Sequence, residues 1–169
     1  PELEGCVCTQ FFHEEGTLAS EGCLVYGLPV GLWTNFDPQG NILSRGERVN
    51  NRPEGVWQFY EHGALKEEAT FRNWSKEGPQ MFWNENVMTD SINCVEGKKE
   101  GWAFRFDSDG ALKMKTPYKH DQKEGKAITF SEEGVPHGQR WFRNDRFVAS
   151  EEFNRFDAEG LKTGPWKVF

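Results

Sequence analysis

Cysteine, histidine and clustered acidic side chains are the residues with most to offer chemically, and four cysteines and four histidines are available. Cys6, Cys8, Cys23 and Cys94 form an even set, which leaves both bridging and metal binding open. Cys6-Val7-Cys8 is weak as a metal site, because it lacks the two-residue spacer and the second ligand pair that zinc usually takes. If the chain turns at His13-Glu14-Glu15-Gly16 with Phe12 facing Thr17, then Cys6 faces Cys23, since both pairs of numbers sum to 29. Directly opposed strand residues hold their Cβ atoms about 4.5–5.5 Å apart, close to the roughly 3.5–4.5 Å of a disulfide. That register predicts a Cys6 to Cys23 disulfide. The alternative is a pair of reduced, half-buried thiols, and a slip of one residue would destroy the pairing.

His13, His62, His120 and His137 fall in turns or connectors without metal-ligand spacing. Asp107-Ser108-Asp109-Gly110 is similar to the start of a calcium loop, yet the distal glutamate position is taken by Met114 or Tyr118, and the segment is needed as a turn. The sequence contains no Gly-x-Ser-x-Gly elbow and no phosphate loop. The expectation is therefore a protein that is not an enzyme and takes no cofactor and no metal.

Charge narrows the partners. Twenty basic residues against 27 acidic ones give a net charge of −7, which argues against nucleic acid and against anionic lipid. Acidity of this size either keeps a repeat protein in solution or selects a basic partner. There is no run of 18 apolar residues. The chain begins at Pro1, so a fragment or a processed form is expected.

These side chains must be positioned by repeats. Glu54-Gly55-Val56-Trp57-Gln58-Phe59-Tyr60, Glu77-Gly78-Pro79-Gln80-Met81-Phe82-Trp83 and Glu100-Gly101-Trp102-Ala103-Phe104-Arg105-Phe106 are variants of one phrase, and Glu124-Gly125 begins another. The glycines at 55, 78, 101 and 125 set spacings of 23, 23 and 24 residues, a period typical of stacked repeats. Each copy reads as a hairpin: an apolar-polar strand, an acidic turn closed by glycine as in Asp37-Pro38-Gln39-Gly40, and a return strand. Units are predicted to start near Gly5, Gly31, Gly55, Gly78, Gly101, Gly125 and Gly138, with one return strand shortened near Glu133 to His137 and a capping strand from Gly164. The expected fold is all-β, a single domain over residues 1–169 built as an elongated, solenoid-like stack of antiparallel hairpins. Phased large apolar residues, mostly rings, are predicted to fill it: Trp33 and Phe36, Trp57 and Tyr60, Met81 and Trp83, Phe104 and Phe106, Ile128 and Phe130, Trp166 and Phe169.

Gly55, Trp57, Tyr60, Gly63, Leu65 and Phe71, then Gly101, Phe106, Gly110, Leu112 and Tyr118, with Lys76-Glu77-Gly78, Lys99-Glu100-Gly101 and Lys123-Glu124-Gly125 at the joins, carry a resemblance. The pattern resembles the MORN repeat variant, and in particular the YwqK-like family of bacterial antitoxin and immunity proteins, over about residues 25–169. The resemblance implies a binding protein that neutralises a toxic protein effector by direct contact, in the cytoplasm or, if a signal sequence was removed, in the bacterial periplasm. The alternatives are a MORN-type scaffold or membrane-proximal interaction protein, and an accessory repeat region of a larger protein.

Contact residues are expected outside the repeat phase. Trp74, Phe82, Trp141 and Phe147 are rings without a place in the stack and serve as candidate anchors. Asp37, Glu61, Asp107, Asp109, Glu132 and Glu133 are expected to form an acidic turn rim that steers a basic partner. A second column, Glu54, Glu77, Glu100 and Glu124, is softened by neighbouring lysines.

Overall fold

The computed structural model describes residues 5–167, and they form strands and turns without a helix. The expected all-β architecture of consecutive hairpins is what is found. The chain groups into two compact units, Pro1–Asn86 and Val87–Phe169. The first contains β1 (Val7–Phe12), β2 (Leu18–Val25), β3 (Leu28–Phe36), β4 (Ile42–Val49), β5 (Arg52–Glu61), β6 (Ala64–Arg72) and β7 (Ser75–Asn84), each antiparallel to the one before. The second contains β8 (Val87–Val95), β9 (Lys98–Lys99), β10 (Gly101–Phe106), β11 (Leu112–Lys119), β12 (Gln122–Lys123), β13 (Gly125–Phe130), β14 (Pro136–Arg143) and β15 (Arg146–Glu152), followed by a separate ribbon of β16 (Arg155–Phe156) and β17 (Lys162–Thr163).

Gly31, Gly55 and Gly78 lie inside the strands that follow the joins, whereas Gly101 and Gly125 open β10 and β13. Arg45 pairs with Gln58 and Glu47 with Glu54, so residues 54 to 58 of β5 lie against only residues 45 to 47 of β4. Gly55, at φ 68°, absorbs the surplus as a bulge in a conformation that side-chain-bearing residues rarely adopt. The same mismatch recurs around Gly31 against β2 and Gly78 against β6. In the second unit it separates β9 from β10 at Gly101 and β12 from β13 at Gly125. The connectors are themselves tight two-residue turns. Asn50-Asn51, His120-Asp121 and Asn144-Asp145 each hold two positive φ values, matching the twist of the flanking strands.

Each bulge aims the residue two positions on across the preceding strand. Trp33 and Trp57 are 5% and 4% exposed. A Cβ placed on Gly22 would lie 2.4 Å from the Trp33 ring, and one on Gly46 would lie 2.4 Å from the Trp57 ring. These glycines are selected by contact rather than by φ. The third position of the row is Gln80, 1% exposed, paired with Ala69, so the buried row is not all rings and neither Met81 nor Trp83 fills it. In the second unit the bulk changes sides: Thr116 is buried opposite the small Ala103, and Ala127 is fully buried on β13. Large against small keeps the row filled at native density.

Two further expectations are corrected. Gly138 lies in mid-strand between Thr129 and Glu152, and Ser131 to Gly134 is a complete turn, so no return strand has been lost. Residues 164–167 form no strand. The Asn154 side chain clamps them instead, its Nδ2 donating to the carbonyl of Lys167 and its Oδ1 accepting from the Lys167 N–H. The rest of the predicted cap, Val168 and Phe169, lies outside the described residues. Trp166 is 39% exposed and meets Phe156 edge-on at 5.2 Å rather than entering a core row.

The close approach at Gly46 predicts that Gly46→Ala costs about 1–3 kcal/mol through overpacking. In a Trp57→Leu background the ring is gone and the penalty of Gly46→Ala should shrink. Urea midpoints of the two single variants and the double variant measure that coupling directly.

Candidate functional site

Asp37 and Asp107 hold their own turns. The Asp37 carboxylate accepts from the backbone of Gln39 and Asn41 and from the Asn41 side chain at 2.8–3.0 Å. The Asp107 carboxylate accepts from the backbone of Asp109 and Ala111 and pairs with Lys113 at 3.1 Å. The Asn41 side chain in the first case and the Ala111 N–H in the second hold these carboxyls below the usual range. A hydrogen bond with Ser131 does the same for Glu133. Glu61 lies 3.8 Å from Lys66. Asp109 and Glu132 remain exposed at turn tips. The rim is thus divided between turn closure and free charge.

The glutamates at the joins are structural. Glu54 Oε2 accepts the N–H of Asn73, Glu100 Oε2 that of His120, and Glu124 Oε2 that of Asn144. Each reaches from one join to the next turn on the same edge. Asp121 N–H donates to the carbonyl of Lys99 and Asp145 N–H to that of Lys123, which completes the lacing. The Lys-Glu-Gly signature thereby has a physical content: the lysine covers a ring, as Lys99 does Tyr118 at 5.5 Å and Lys123 does Phe142 at 5.3 Å, the glutamate clamps the next turn, and the glycine makes the bulge.

The candidate anchors are not gathered into one place. Trp74 stands at the tip of the β6–β7 hairpin, 63% exposed. Phe82 is half-buried on β7 opposite Glu67. Trp141, half-buried on β14, carries Lys126 over its ring at 5.9 Å. Phe147 is 60% exposed and edge-on to Phe142 at 6.2 Å.

What the structure does gather is a polar ladder across the first unit. Gln10, Glu21, Thr34, Arg45, Gln58 and Glu68 are successive direct partners from β1 to β6. Gln10 Nε2 donates to Glu21 at 3.1 Å, Arg45 Nε to Gln58 Oε1 at 2.7 Å, and Gln58 Nε2 to Glu68 at 2.7 Å. Tyr60 donates to the same Gln58 oxygen at 3.0 Å, and Arg45 sits over its ring at 5.7 Å. Leu32 and Val56, 59% and 53% exposed, lie on this face two residues before Thr34 and Gln58. The rings of Trp57, Phe59 and Phe71 pack against one another on the opposite face. The ladder was missed in the sequence because its members sit between the rings. The polar residue one place after each buried tryptophan was the available signal.

At the edge of the ladder the expected Cys6 to Cys23 register is overturned. Cys23 is the direct partner of Cys8, with the sulfurs 3.1 Å apart. The turn closes one residue later than expected, with His13 N–H donating to the carbonyl of Thr17, and a bulge between Phe11 and Phe12 adds one more residue. Two residues of slip preserve the face, so a cysteine still meets Cys23, but a different one. All four cysteines are free thiols. Hydrogen bonding with Cys6 pushes the Cys23 thiol up, and hydrogen bonding with Cys23 does the same for Cys8.

Two outcomes follow. Glu124→Ala should destabilise by about 1 kcal/mol through the orphaned turn N–H, whereas Glu132→Ala should stay within about 0.5 kcal/mol. Thermal unfolding of both variants checks the contrast. Asp37 and Asp107, depressed in the folded state, stabilise it at pH values above the unfolded carboxyl value of about 4, and that contribution is lost as pH falls through the folded values. The stability gap between the wild type and an Asp37→Asn, Asp107→Asn variant should therefore be full at neutral pH and narrow in acid, as read from urea midpoints.

Residues 53–73 match the family described as the MORN repeat variant. That stretch holds the Gly55 bulge, buried Trp57 and the whole of β6. No curated protein matches the chain. The match together with the hairpin architecture describes a repeat-type binding scaffold carrying a MORN repeat variant.

Proposed function

We propose that this chain is a non-catalytic binding module whose ligand is another protein, and that the polar ladder of the first unit is its contact face. The observation that carries the reading is the ladder itself: Arg45, Gln58, Glu68 and Tyr60 are already ordered by one another in a row flanked by exposed Leu32 and Val56. Ordered polar groups beside modest apolar area suit protein recognition, because little side-chain freedom remains to be lost on binding. The net charge of −7 favours a basic partner surface through faster encounter.

The resemblance to YwqK-like antitoxin and immunity proteins points to a toxic effector as that partner, with neutralisation by direct coverage of its active surface. Trp74 is the rival contact, since an exposed indole at a hairpin tip is a good anchor. Co-expression with the product of the neighbouring reading frame tests the reading: a stable complex and relief of growth arrest are expected, and free components with unrelieved arrest would contradict it. Within such a complex, Glu68→Arg, which sets a positive charge against a basic partner, should weaken binding by roughly tenfold or more. Trp74→Ala should leave it nearly unchanged; the reverse pattern would move the contact to the turn edge.

A further inference from the structure

We propose that Cys8 and Cys23 are a dithiol oxidation site, forming a cross-strand disulfide that staples β1 to β2 when a small disulfide oxidant of the glutathione class is present. The two residues are direct antiparallel partners and their sulfurs already touch at 3.1 Å. Direct partners in an antiparallel pair have Cα atoms about 4.5–5.5 Å apart, inside the range of roughly 4.4–6.8 Å that disulfides span, so closure needs little backbone movement. Access is open. Cys8 is exposed, and a groove of about 440 Å³ lined by Cys8, Gln10, Glu21, Cys23, Leu32 and Thr34 leads to the pair. Cys94, by contrast, is 4% exposed and offers no comparable route.

The exchange balances without any further reagent. The thiolate of Cys8, the more exposed sulfur, attacks one sulfur of the oxidant, its S–S bond breaks, and one small thiolate leaves and takes up a proton. The Cys23 thiolate then attacks the Cys8 sulfur of the mixed disulfide and expels the second small thiol. Two protein thiols become one disulfide, one oxidant disulfide becomes two thiols, and two electrons pass from protein to oxidant. Cys6 lies two residues before Cys8 and its thiol is a hydrogen-bonding neighbour of Cys23, so it is the competing partner that the register disfavours.

The staple falls where it has most effect. Among the described residues β1 pairs with β2 alone, and its Val7, Phe11 and Phe12 are 64%, 48% and 59% exposed. A covalent link across the hairpin holds that strand when it would otherwise fray.

The test is to incubate the full chain with oxidised glutathione, quench by alkylation and map the peptides. Loss of two thiols with a Cys8 to Cys23 linked peptide is expected in the wild type and in Cys6→Ser, together with slower amide exchange of β1. In Cys8→Ser, disulfide formation should slow by roughly tenfold or more, with circular dichroism confirming that the reduced variant keeps its β structure. Four thiols still alkylatable, glutathione adducts at Cys8 that never resolve, or a Cys6 to Cys23 peptide in the wild type would each overturn the proposal.

Discussion

The contact on which the rest depends is an indole lying directly against a glycine of the preceding strand. Trp57 over Gly46 and Trp33 over Gly22 leave no room for a methyl group, and both indoles are almost completely buried. The bulge two residues earlier makes this possible, because Gly55 or Gly31 at positive φ re-aims the strand just before the ring. Trp57 Nε1 also donates to the carbonyl of Glu47 at 3.0 Å, and Arg48 covers the ring at 5.1 Å. Register, burial and one polar requirement are thereby met at one place. A hairpin without this interlock would be marginal, since two strands alone bury too little.

From that contact the two faces of the first unit acquire different jobs. Rings that pack on one another, such as Trp57 with Phe59 and Phe59 with Phe71, occupy one side. The other is free to hold the Gln10 to Glu68 ladder, in which Gln10 bonds Glu21 and Gln58 bonds both Arg45 and Glu68. In each unit the join glutamates clamp positive-φ turns, so part of the acidic charge is structural. The division explains why a charged rim read from composition alone overstates the charge available to a partner.

Much of this was legible in the sequence. The period, the all-β class, the acidic turns and the importance of Trp33 and Trp57 follow from the spacing of Gly55, Gly78, Gly101 and Gly125. The role of those glycines does not, because a glycine that ends a turn and one that makes a bulge look alike in a string. Gly22 and Gly46 were legible but unread: each precedes its tryptophan by 11 residues. Gln80 in the third place of the row breaks the aromatic rhythm; it stands opposite Ala69, and its amide donates to the carbonyls of Gly78 and Thr70. The cysteine register failed for a related reason. A connection one residue longer than expected and an adjacent bulge each shift pairing by one, and neither is visible until the backbone is closed.

The interlock can be observed without altering a residue. An indole held face-on against a glycine shields that glycine's α-protons by its ring current. The proton spectrum of the native protein should therefore show the Gly46 and Gly22 α-protons moved far upfield of the other glycines, and the shift should vanish on unfolding. Ordinary chemical shifts at both glycines in the folded protein would contradict the account.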